Sequence, residues 1–150
     1  MPTPANLNEF LENLYTALST GDIETWVSMH EESAVFNISG NTKISGRVTI
    51  PQLLTEVFPL VFDPLIPETV QFGLRWKLMC ADDRRATVIF EGESTTKSGH
   101  PYNNRYVQIL EFGDDGLIHQ VWEFFDTDLA NSALFNASGQ AAVDTRPFSY

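Results

Sequence analysis

Residues 102–126, YNNRYVQILEFGDDGLIHQVWEFFD, place a carboxyl group, a phenol, two amides and an imidazole at alternating positions around a Gly-Asp-Asp-Gly turn. Glu123 can give and take a proton once an apolar setting raises its pKa toward neutrality. Tyr106, Asn104 and Gln108 can bind an oxygen atom or orient that carboxyl group, and His119 is a candidate proton carrier by residue type. Glu123, Tyr106 and His119 are therefore the catalytic candidates, with Asn104 and Gln108 as ligand-binding candidates. The chain has no Gly-x-Ser-x-Gly, no phosphate-binding glycine loop and no dinucleotide fingerprint, so covalent and nucleotide chemistry lack support. What remains is acid/base chemistry without a cofactor.

Period-2 alternation on both sides of Asp114, Asp115 and Gly116 predicts a β-hairpin. A loop over Gly113 to Gly116 sets Tyr106 opposite Glu123, Gln108 opposite Val121 and Leu110 opposite His119. A two-residue turn at Asp115-Gly116 moves the register by two and sets Gln108 opposite Glu123. In both registers Asn104, Tyr106, Gln108, His119 and Glu123 share one face, expected to wall a pocket. The other face carries Arg105, Val107, Ile109, Trp122, Phe124 and Asp126, and an Arg105–Asp126 pair is expected there. Both faces look at least half covered.

The 150 residues, 43% hydrophobic, suit one globular domain with a real core, about 7–135, followed by a tail. That tail, 136–150, is expected to dock on the domain or a partner, or to stay mobile. Nine basic against twenty acidic residues, a net charge of −11, oppose non-specific binding to nucleic acid or anionic membranes. The single Cys80 excludes an intramolecular disulfide, and three unclustered histidines give no metal signature. With no signal peptide or membrane span in the sequence, a cytoplasmic protein is expected.

The elements that position the hairpin are read from spacing. Leu7, Phe10, Leu11, Leu14 and Leu18 predict a first helix, capped at Asn6 or Asn8 and ended by Gly21. Asp22 caps a second helix through Trp26 and Val27, with His30 as a favourable cation at its C-terminus. A strand over Ala34 to Ser39 and a return through Ile44 precede a third helix, Ile50 to Val61, with Pro51 in its first turn. The proline-rich stretch 59–68 is expected to be a loop. Strands near 69–80 and 85–95, joined at Asp82-Asp83, complete an α+β order. A curved antiparallel sheet wrapped around the N-terminal helices is the economical arrangement.

Leu18 to Asp22 (L-S-T-G-D), Glu31 to Phe36 (E-E-S-A-V-F), Ile44 to Arg47 (I-S-G-R) and the final hairpin occur in an order that resembles the nuclear transport factor 2-like superfamily, in its SnoaL-like and ketosteroid isomerase-like branch. The resemblance covers about residues 7–135. It implies a cone-shaped, cystatin-like α+β barrel with a hydrophobic small-molecule pocket inside, and a homodimer through the sheet. It does not imply one reaction. In the steroid isomerases a first-helix tyrosine and a protonated aspartic acid bind the developing oxyanion while a second aspartate moves the proton. Those positions fall on Leu14, Gln108 and Ile38, with Tyr15 one residue off and about 100° around the helix. The Arg-x-Asp of limonene epoxide hydrolases is also missing, since Val107 follows Arg105 at that spacing. Glu123 matches the acid of the similar phenazine biosynthesis A/B proteins.

The rings Trp26, Phe36, Phe58, Phe62, Trp76, Phe90 and Phe125, with Tyr15, are core residues by default, yet together they suit a pocket for a flat apolar ligand. The first reading is an isomerase, cyclase or dehydratase for a polyketide, terpenoid or steroid. The second is a module of the same fold that binds a ligand or protein without catalysis. A cavity with Glu123 turned into it favours the enzyme; a filled cone with Glu123 tied to Arg105 favours the module.

Overall fold

The computed structural model describes residues 3–135; the tail 136–150, with its expected docking role, lies outside the described residues. Asn6 caps α1 (Leu7–Thr20) by accepting the Glu9 amide, and Gly21 ends it in the left-handed conformation (φ 71°). Leu11, Leu14 and Tyr15 are buried on the inner side of this helix. Asp22 caps the short α2 (Ile23–Ser28), which buries Trp26.

His30 does not close that helix as a cation. It opens β1 (His30–Ile38), and its Nδ1 lies 2.8 Å from the Trp26 carbonyl oxygen. Burial lowers its pKa to about 4, so it stays neutral against the Trp26 ring.

After β2 (Gly46–Thr49) the chain turns helical at Ile50, behind a capping box between Thr49 and Gln52. The helix does not stop at Pro59. A first segment, α3 (Ile50–Gln52), passes into a π turn at Leu53–Val57 and on into α4 (Phe58–Phe62). The wider π turn sits where the proline ring would meet the carbonyl of the preceding turn, so the helical path survives. A 3₁₀ turn at Pro67–Thr69 leads into the sheet.

The large strands are β3 (Gln71–Ala81), β4 (Arg85–Glu93), β5 (Asn104–Phe112) and β6 (Ile118–Phe125). They form one open six-stranded sheet in the order β2-β1-β6-β5-β4-β3. All neighbours are antiparallel except β1 and β6, which run parallel. A further helix, α5 (Thr127–Leu134), follows β6 without having been read from the sequence. Asp126 caps it by accepting the Leu129 amide, and Arg105 lies beside Glu91 at 3.6 Å. The expected Arg105–Asp126 pair does not form.

Helix α1 lies directly on β3 at Gly73 (φ 72°), where an added Cβ would come within 3.2 Å of Leu18 and 3.3 Å of the Tyr15 ring. A residue without a side chain allows this close approach and sets the depth of Tyr15 in the core. The core fills the space between the inner sheet face, α1 and the α3–α4 run. Among the described residues no helix is long and apolar enough to cross a membrane.

Candidate functional site

The hairpin register follows the two-residue shift: Gln108 pairs with Glu123, Val107 with Phe124 and Tyr106 with Phe125. Nearer the turn, Glu111 faces Gln120 while Phe112 faces Ile118. One extra residue, His119, is therefore bulged out of β6. It points away from the other candidates, its side chain 49% exposed, with Nδ1 2.7 Å from a Glu31 carboxylate oxygen. This removes His119 from the catalytic set.

Glu123, Gln108 and Tyr106 face a cavity of about 80 Å³ between the sheet and the helices. One buried water needs about 10–15 Å³ on this measure, so the space is large enough for a small ligand. The cavity wall includes Trp26, Phe36, Phe58, Phe62, Phe90 and Phe125. Ile38, at the isomerase aspartate position, lines it as well, and Leu53 and Val57 reach it from the π turn. Tyr102 also lines it, a residue not singled out in the sequence because it precedes β5 and its alternation.

Gln108 Nε2 donates to Glu123 Oε2 at 2.5 Å, and Gln108 Oε1 accepts the Tyr15 hydroxyl at 2.9 Å. Tyr15 itself stands behind this amide, fully buried and off the cavity wall. Trp76 stacks on the Tyr15 ring at 5.6 Å and is likewise behind the wall. Asn104 is buried and spent on the chain: Nδ2 donates to the Tyr102 hydroxyl and the Asp126 carbonyl, and Oδ1 accepts the Arg105 and Asp126 amides. Tyr15, Trp76 and Asn104 therefore do not meet a ligand in the cavity.

Glu123 retains some accessible surface, but that surface opens onto the cavity, and protein surrounds the group. Burial raises its pKa to about 7, against the Gln108 hydrogen bond, which favours the carboxylate. Among the described residues, Oε1 has no hydrogen-bond partner.

The Tyr102 and Tyr106 hydroxyls are 3.1 Å apart. Two hydroxyl protons serve one mutual bond, so one is left over at the cavity wall, which both tyrosines line. Burial pushes Tyr15, Tyr102 and Tyr106 above the ordinary phenol range, which keeps all three as neutral donors. Among the described residues neither Lys, Arg nor His lines the cavity. Among the described residues no cluster of three His, Cys, Asp or Glu could hold a metal ion.

A family model described as a SnoaL-like domain matches residues 11–121. The chain belongs to this SnoaL-like family. Solved structures described as NTF2-like share its fold. Similar solved structures include Bal32a from a soil-derived mobile gene cassette, 20% identical, covering 84% of this chain and 92% of that one at TM-score 0.68. PrhC from Penicillium brasilianum is 22% identical over 85% and 87% of the two chains, at TM-score 0.65. TerC, co-crystallised with polyporic acid, is 19% identical over 86% and 97%, also at 0.65. At these identities the likeness is one of fold. No curated protein sequence matches the chain.

The Glu123 shift has a consequence for stability. A folded-state pKa of about 7 against an ordinary 4.5 means the fold holds this proton more tightly than the unfolded chain. The resulting stabilisation is complete below pH 4.5 and is lost as pH rises through 7, a change on the order of 3 kcal/mol. Glu123→Gln keeps an acceptor for Gln108 without the charge. Its thermal midpoint relative to wild type is expected to rise between about pH 4.5 and pH 7 and to level off above that. A difference that stays constant with pH contradicts the shift.

Proposed function

We propose that this SnoaL-like protein is a cofactor-independent acid/base enzyme acting on an uncharged hydrophobic small molecule, as an isomerase, cyclase or dehydratase. The observation that carries the reading is Glu123, turned into an aromatic cavity with a pKa near neutrality and one carboxyl oxygen unbonded. A general acid/base is most effective when its pKa lies near the working pH, because both protonation states are then populated. In this reading the spare proton of the Tyr102–Tyr106 pair binds a ligand oxygen. Glu123 takes a proton from the ligand as the carboxylate and returns it at another atom.

The lining also limits the ligand. Among the described residues no cation would balance an anion beside Glu123, whose desolvation would then be costly, which favours a neutral ligand. Drug-sized sites begin near roughly 300 Å³, well above this cavity, which favours the smaller polyketide and terpenoid compounds over a steroid nucleus. The structural neighbour TerC was crystallised with polyporic acid.

A non-catalytic binder is supported by one feature: Gln108 already gives the Glu123 carboxyl group a partner, as a purely structural carboxylate requires. Ligand protection and turnover separate the two. Among neutral cyclic ketones screened by thermal unfolding, at least one is expected to raise the midpoint. On that compound Glu123→Gln is expected to retain binding and lose turnover by about 100-fold or more, the usual contribution of a positioned acid/base. Full turnover in the variant would refute the assignment, and binding without turnover in wild type would favour the binder.

We place the homodimer contact on the outer sheet face, where Lys77, Ile89, Val107 and Phe124 align across four strands and Ile89 is 40% exposed. In sedimentation the wild type is expected at twice the chain mass, and Ile89→Asp is expected to shift it toward the monomer. A wild-type monomer at all concentrations would contradict this contact. The single cysteine and the acidic balance are in keeping with a cytoplasmic setting.

A further inference from the structure

The Glu123 side chain meets the protein through one amide, and that amide can face either way. With Nε2 toward Glu123, Gln108 donates and supports the carboxylate; with Oε1 toward it, Gln108 can only accept, which supports the protonated acid. The choice is made on the far side of the amide. The Tyr15 hydroxyl, from α1, is buried and gives its proton to Gln108 Oε1, with no other acceptor among the described residues. Turning the amide would present NH₂ to Tyr15. The phenol could accept that bond, but its own proton would be left buried and unbonded, at the cost of a missing hydrogen bond.

We propose that Tyr15 is a positioning residue that locks Gln108 as a donor, so that Glu123 Oε2 is held and Oε1 alone is left to exchange a proton with the ligand. This rests on the reading of Glu123 as the proton carrier and adds the device that sets its protonation balance. The lock is rigid because the Tyr15 ring is fixed between Trp76, stacked at 5.6 Å, and Phe90 at 5.3 Å. Gly73 leaves room for Tyr15 at that depth.

The surroundings leave little else to set the balance. The groups facing Glu123 are Tyr15 from α1, Tyr102 before β5, and Tyr106 and Gln108 on β5; the α3–α4 run and β1 contribute apolar side chains. None of the phenols is ionised at neutral pH, and among the described residues no cation lines the cavity. An amide has no proton to relay, so Tyr15 acts on orientation and not as a step in proton transfer.

The test is a carboxyl ¹³C NMR titration of the full-length protein labelled at glutamate, with the Glu123 signal assigned by its loss in Glu123→Gln. Tyr15→Phe keeps the ring and its stacking and removes only the hydroxyl. The amide is then free to turn and accept from the protonated acid, and the Glu123 pKa is expected to rise by about one unit. Gln108→Met removes both amide orientations. In that background Tyr15→Phe is expected to add no further shift.

An unchanged pKa in Tyr15→Phe overturns the lock while leaving Glu123 as proton carrier. An equal rise with and without Gln108 also overturns it, since Tyr15 would then act on Glu123 directly. A wild-type Glu123 that titrates in the ordinary carboxyl range defeats the proton-carrier reading itself, and the lock with it.

Discussion

A carboxyl group enclosed by aromatic rings and given a single amide donor is the constraint on which the rest of this structure depends. Burial alone would hold Glu123 protonated, and a full set of donors would hold it ionised; one hydrogen bond from Gln108 leaves it between the two. That balance requires Gln108 directly opposite Glu123, a dry wall around both, and no cation within reach. Each requirement traces to a particular feature of the chain. The sheet register supplies the first, the rings on α2, β1, α4 and β4 supply the second, and, among the described residues, the composition of the wall supplies the third.

Two irregularities shape the site more than the regular elements do. The bulge at His119 shifts the β5–β6 register by one residue between the turn, where Phe112 faces Ile118 across a loop over 113–117, and the cavity, where Gln108 meets Glu123. The π turn before Pro59 carries the helical run past a proline that would otherwise end it, bringing Phe58 and Phe62 over the cavity. Regular continuations at either place would change which side chains face inward. The polar pairs elsewhere, such as Arg75 with Glu91 and Glu93, lie exposed on the outer sheet face and contribute little to this arrangement.

Alternation made the core of the site readable in the sequence. Tyr106, Gln108 and Glu123 share a face because strand periodicity is two, and neither candidate register could separate them. His119 was misplaced because a bulge inserts a residue without any mark in composition. Tyr102 was missed because it lies before the strand, where alternation has no meaning; its only sequence signal is a second tyrosine four positions from Tyr106. Asn104 and Asp126 lie at strand ends, where free backbone groups compete for side chains, and the junction with α5 consumed both. The first helix was read correctly from its apolar stripe. Tyr15, however, is a partner of Gln108 rather than of a ligand, and that difference depends on packing depth, which no spacing records.

The central claim, that Glu123 exchanges a proton near neutral pH inside the cavity, is tested most directly by infrared difference spectroscopy of wild type against Glu123→Gln. A protonated-carboxyl band present at pH 6, absent from the variant and lost with a midpoint near pH 7 is the expected result. A carboxyl group already fully ionised at pH 6 would contradict the account.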